Sequence, residues 1–185
     1  MPSNHSAPSF LLKPAIFAAA LALGGAGVAA QERPRLAPHR AVYDLSLLKT
    51  NGSASAPSSA GGRIAYDFTG SACTGYTVTF RQLTELTPSE GAARTSDMRS
   101  TTFESGDHAS LRFRVETSQG AGAERIVEGS ATRSGDGALS LDLRRPRALK
   151  ADLDQDAVFP TDMMMRAIEA ARKGETTLPL KVFDG

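Results

Sequence analysis

The sequence predicts an all-β fold, an antiparallel sheet that carries one helix near its end. Two observations dominate: apolar and polar residues take turns along several short segments, and Gly-rich turns separate those segments at regular intervals. A stretch of helical spacing after Pro160 supplies the exception. The alternation is clearest over residues 63–86. Ile64, Tyr66 and Phe68 alternate with Arg63, Ala65 and Asp67; after a break at 69–75, Tyr76, Val78 and Phe80 alternate with Thr77, Thr79 and Arg81. Successive strand side chains point to opposite faces, so a period of two gathers the large apolar groups on one face. Gly70 and Gly75 permit tight backbone at the ends of the connection. Residues 63–86 therefore read as one hairpin.

The 185 residues suffice for one domain with a core. Residues 1–30 stand apart from it. Lys13 precedes an apolar run from Ala15 to Leu23, and small residues end at Val28-Ala29-Ala30, the pattern of a secretory signal cleaved before Gln31. Gly24-Gly25 cuts that run well short of the roughly 20 apolar residues of a membrane span. Lys13 is the only charged residue there, so its loss turns 21 basic residues into 20 against 20 acidic ones. A neutral surface argues against nucleic acid as the main partner, since phosphate backbones demand a basic excess. The expected product is an exported, periplasmic β domain over residues 31–185.

A Pro-rich lead-in at 33–38 precedes a first strand at 39–48, with Ala41, Tyr43, Leu45 and Leu47 on one face. Residues 50–62, rich in Ser, Gly and Ala, read as a loop, and so do 87–95. Segments 97–104 and 109–117 form a second hairpin around Gly106-Asp107, with Leu111, Phe113 and Val115 inside and Arg112, Arg114 and Glu116 outside. Turns at Gly120-Ala121-Gly122 and at 134–137 separate a strand at 124–132 from one marked by Leu139, Leu141 and Leu143. Phe159-Pro160 ends the extended run. Thr161 or Asp162 is a suitable N-cap for a helix whose Met164, Ala167, Ile168 and Ala171 share a stripe, and Gly174 stops it. Core packing is the plainer role for that stripe, against a ligand-facing one. Residues 178–183 read as a further strand, and Asp184-Gly185 as a hairpin turn that leads the expectation toward a strand still to come.

Chemistry is hard to find. Asp152, Asp154 and Asp156 have the spacing that opens a calcium loop, but Ala157 stands where Gly is needed and Met163 where the bidentate Glu is needed. They read instead as an acidic edge facing the basic run Arg144, Arg145, Arg147 and Lys150, itself a solvated edge more readily than a phosphate or lipid patch. His39 and His108, the histidines beyond residue 30, are far apart and lack metal-ligand spacing. Glu104 and Asp107 flank a hairpin tip, where a carboxylate is expected to be too hydrated to act as a general acid. Neither a nucleophile elbow nor a phosphate-binding loop is present. Catalytic, cofactor-binding and metal-binding residues are therefore all expected to be absent. Cys73, the single cysteine of an exported chain, is open to three readings: a buried thiol, a reactive one, or half of a disulfide.

Several segments together resemble the EipB-type cell-envelope integrity family of alphaproteobacterial periplasmic proteins. They are Pro38-His39-Arg40-Ala41-Val42-Tyr43-Asp44-Leu45, Gly70-Ser71-Ala72-Cys73 with Gly75-Tyr76-Thr77-Val78, Ser96-Asp97-Met98-Arg99-Ser100, Leu111-Arg112-Phe113-Arg114-Val115-Glu116-Thr117, Phe159-Pro160-Thr161, Gly174-Glu175 and Val182-Phe183-Asp184-Gly185. The resemblance implies an antiparallel sheet curled into a spiral around a helix, similar in outline to the lipoprotein carriers LolA and LolB. It implies a non-enzymatic role in envelope integrity, with a periplasmic tetratricopeptide-repeat protein as partner. It also implies a disulfide from Cys73 to a cysteine beyond residue 185. A second reading is a carrier of lipid or lipoprotein acyl chains, lined by Tyr66, Phe68, Tyr76, Val78, Phe80, Phe113 and Met164, although an ordinary closed core is the plainer fate of those residues. A hydrolase reading has no motif behind it.

Overall fold

Residues 34–50 and 56–185 are described by the structure, a computed structural model. The signal segment expected at 1–30, and part of the loop expected at 50–62, lie outside them. Eight strands follow one another along the chain: β1 His39–Ser46, β2 Pro57–Ser71, β3 Gly75–Pro88, β4 Arg94–Glu104, β5 Ser110–Gln119, β6 Arg125–Arg133, β7 Leu139–Arg145 and β8 Leu149–Leu153. They form a single antiparallel sheet whose spatial order is the chain order. β8 does not pair with β1, so the sheet is open. The only helix among the described residues, α1 Pro160–Arg172, comes last.

Register defines the two faces. One continuous row crosses all eight strands through His39, Phe68, Val78, Thr102, Phe113, Gly129, Leu143 and Leu149. Residues two positions away along each strand share this inner face. Its apolar side chains gather into two clusters. Phe68 and Tyr76 pack with Met165 of α1, with Leu36, Tyr66, Val78 and Met164 half-buried around them. Leu111, Phe113, Ala131 and Leu139 pack with Ala157 and Phe159 of the segment leading into the helix. On the outer face, ion pairs across and along the strands replace apolar contacts: Arg63 with Asp44, Arg40 with Asp67, and Asp97 between Arg81 of β3 and Arg99 of its own strand.

Several expectations are corrected. The Ser/Gly-rich stretch at 57–62 belongs to β2, not to a loop. A Cβ on Gly62 would stand 2.4 Å from the Leu83 carbonyl oxygen, so the glycine marks a close approach of neighbouring strands. Tyr43 is 56% exposed, because β1 is an edge strand and the helix covers the other part of the inner face. The helix N-cap is Phe159 with Pro160 following it, and neither Thr161 nor Asp162 caps it. Its buried face is Thr161, Met165 and Ala170, while Ala167 and Ala171 are exposed. The apolar stripe was ambiguous by one residue because Met163, Met164 and Met165 adjoin one another. Residues 178–183 make only a single parallel bridge, Val182 with Val158. Gly174 does end the helix, at φ +77°.

Candidate functional site

Glu104, at the end of β4, is 2% exposed, the only buried side chain of the Asp, Glu, Lys, Arg or His type among the described residues. It belongs to the inner row with Thr102 and Ser100, which aims it at the helix. One carboxylate oxygen accepts from the backbone N–H of Thr161 at 2.7 Å; the other accepts from that of Asp162 at 3.2 Å and from His108 Nδ1 at 2.6 Å. The first amides of a helix lack partners within it and carry its positive end, so a carboxylate there is doubly favourable. Phe159 cannot cap with its side chain, and Glu104 does so from 57 residues away. The Nδ1 bond to a carboxylate places the proton on Nδ1. The expectation of a hydrated carboxylate at the hairpin tip is therefore overturned for Glu104. It holds for Asp107, which is exposed and is held below the usual carboxylate range by the Ser105 hydroxyl and the Ala109 amide.

The turn that carries His108 also meets the cysteine loop. A Cβ on Gly106 would fall 1.8 Å from the Ala72 carbonyl oxygen, so the β4–β5 turn lies directly against the residue before Cys73. Cys73 itself is exposed and unpaired. Burial pushes the neighbouring Tyr76 hydroxyl up, with Glu104 and Cys73 adding to the effect. His108 has a backbone φ of +57°, which the crowded turn imposes.

The proposed apolar lining divides. Tyr66, Phe68, Tyr76, Val78 and Met164 meet in one cluster. Phe113 belongs to the other, beneath Phe183 with the rings edge-on at 5.8 Å. Phe80, half-buried on the inner row between Tyr66 and Ser100, joins neither. His39 extends the first cluster, its ring 5.6 Å from Phe68, which stacks on Tyr76 at 5.4 Å. Sequence reasoning missed Met165 and Glu104. The only signal for Glu104 was its parity with Thr102 in the strand.

Asp152, Asp154 and Asp156 hold no metal cluster among the described residues. Asp154 instead pairs with Lys181 and accepts from the Asp156 amide.

Comparison with known proteins agrees with this fold. The EipB-like family model matches residues 30–185. The cell envelope integrity protein EipB of Brucella abortus (strain 2308) is 37% identical over 162 residues, which cover 87% of this chain and 57% of that protein. A Brucella abortus protein whose crystal structure is described as beta-barrel-like superposes with a TM-score of 0.76 at 37% identity, covering 81% of this chain and 61% of the other. The chain thus spans less than two thirds of the length of either relative. With the family matched over residues 30–185 and a relative 37% identical over 87% of the chain, the chain belongs to the EipB-like family.

Proposed function

We propose that this protein supports cell-envelope integrity from the periplasm as a non-catalytic scaffold that acts through protein contacts. The observation that carries this reading is the employment of Glu104 and His108. The buried carboxylate and the imidazole bonded to it hold a helix against a sheet, so the most enzyme-like pair in the chain has a structural task. The relative named for envelope integrity supports the biological role. The cleavage pattern at Ala30 supports export, and the family resemblance supports a tetratricopeptide-repeat partner. The test is a strain lacking the gene: it should become sensitive to detergents and cell-wall antibiotics, and the protein should fractionate with the periplasm beginning at Gln31. Unchanged sensitivity, or a cytoplasmic protein that keeps Met1, would refute it.

A carrier of lipid or acyl chains is the second reading. It is favoured by the half-buried Tyr66, Val78, Met164 and Leu36 around Phe68 and Tyr76, an apolar seam between helix and sheet. Native mass spectrometry of protein purified without detergent distinguishes the two, since a carrier would bring lipid with it.

A further inference from the structure

We propose that the outer face of the sheet, opposite α1, carries a groove between β4 and β7 that binds a phosphate group. Register lays two neighbouring rows side by side there: Phe103, Arg112 and Ser130, then Thr101, Arg114 and Glu128. A bulge in the β6–β7 ladder pairs Glu128 with Arg145 and Gly129 with Leu143, which leaves Arg144 without an opposite residue and brings it to the rim. These side chains line a concavity of about 410 Å³.

The rest of this face shows why the groove is unusual. Arg40, Arg63, Arg81 and Arg99 each have a carboxylate partner across or along the sheet. Within the groove Arg114 is bound to Glu116 and Glu128, while Arg144 reaches Glu128 only at 3.8 Å, beyond hydrogen-bond range. Among the described residues Arg112 has no carboxylate partner, and its guanidinium sits 4.6 Å above the centre of the Phe103 ring. That ring packs against Gly75, where an added Cβ would stand 2.7 Å from it. Arg112 is thus held flat on an aromatic platform with its N–H edge unspent, and Arg144 lines the same concavity from β7, beyond β6. Three guanidiniums against Glu116 and Glu128 leave one positive charge over.

Two planar forks on the lining of one shallow concavity suit a tetrahedral oxyanion, whose oxygens accept paired bonds from a guanidinium. The hydroxyls of Ser130 and Thr101 add donors from the cup itself. The single surplus charge accepts any anion; the tetrahedral set of acceptor oxygens is what favours a phosphate over a planar carboxylate for two guanidiniums and two hydroxyls. The phosphate also has to compete with Glu128, which sets a modest affinity. The basic run starting at Arg144 thereby gains a role that its sequence neighbours alone do not define.

The test titrates inorganic phosphate into the purified protein by calorimetry at low salt. Saturable binding is expected, weakened about tenfold in Arg112→Gln and in Arg144→Gln. Phe103→Leu should weaken it about threefold by freeing Arg112. Arg81→Gln, on the same face but committed to Asp97, should leave it unchanged. All four side chains lie on the outer face, and matching circular dichroism spectra establish that the variants are folded. No binding up to about 10 mM phosphate, equal loss in Arg81→Gln, or full binding in Arg112→Gln would overturn the proposal. Vesicles of phosphatidylglycerol identify the source: binding displaced by phosphate and lost in Arg112→Gln points to a lipid headgroup, and no vesicle binding beside saturable phosphate binding points to a soluble phosphate. Vesicle binding indifferent to Arg112 would count against the groove.

Discussion

Replacing Glu104 by Gln tests how helix and sheet are joined. Both carboxylate oxygens accept, one from the Thr161 amide at 2.7 Å and one from the Asp162 amide and His108 Nδ1. Gln has one acceptor oxygen and one NH2 group. In either orientation a donor then faces a donor, at Thr161 or at the Asp162 and His108 pair. At least one charge-assisted bond is lost, worth about 2 kcal/mol, and a buried donor is left unsatisfied for about 1 kcal/mol more. The favourable charge at the helix N-terminus goes with it, for about 0.5 kcal/mol. A loss of about 3.5 kcal/mol should lower Tm by about 10 °C in a domain of this size. Thermal and urea denaturation at pH 7, followed by far-ultraviolet circular dichroism, measures it. Asp142→Asn, exposed on β7, serves as the comparison and should barely move the transition. A Glu104→Gln Tm within about 2 °C of the parent would refute the argument.

The remaining predictions concern neighbouring parts of the fold. Met165→Ala should cost about 2–3 kcal/mol by opening a cavity beside Phe68 and Tyr76, whereas Ala167→Ser, on the exposed face, should cost less than about 0.5 kcal/mol; urea midpoints separate them. Gly106→Ala should destabilise by about 3 kcal/mol, because the new methyl meets the Ala72 carbonyl backbone and neither turn can yield cheaply; a near-parental urea midpoint would contradict this. Asp97 is held below its ordinary value by the Arg81 hydrogen bond first, with Arg99 adding to it. Its folded pKa is depressed, so its contribution is complete above the unfolded value of 3.8 and fades as pH falls through the lower folded value. Asp97→Asn should therefore lower stability by about 0.5 kcal/mol at pH 7 and by progressively less below pH 3.8, as acid titrations of both proteins would show.

The sheet was legible because its period of two repeats over many strands and its turns carry glycine. Tyr66, Phe68, Tyr76, Val78, Leu111 and Phe113 all face the side that alternation assigned them. Three features escaped for physical reasons. Gly61 and Gly62 resemble loop residues in sequence, yet they sit in β2, Gly62 where the neighbouring strand crowds it, and no local pattern distinguishes the two uses. Three consecutive methionines leave the helical phase undetermined until a partner selects Met165. The capping of α1 by Glu104 joins residues far apart in sequence, so the local N-cap preference of Thr161 and Asp162 was outweighed by a contact that only the folded sheet creates. The site was less legible than the fold for the same reason: clusters are made by register across strands, and no segment contains one.

The proposed function has the protein support the envelope as a folded surface and not by acid–base chemistry. The most direct measurement is complementation of a strain lacking it with a His39→Ala/His108→Ala variant that accumulates in folded form. The account predicts detergent resistance restored to the level given by the parent protein. A folded, abundant variant that leaves the cells sensitive would contradict it.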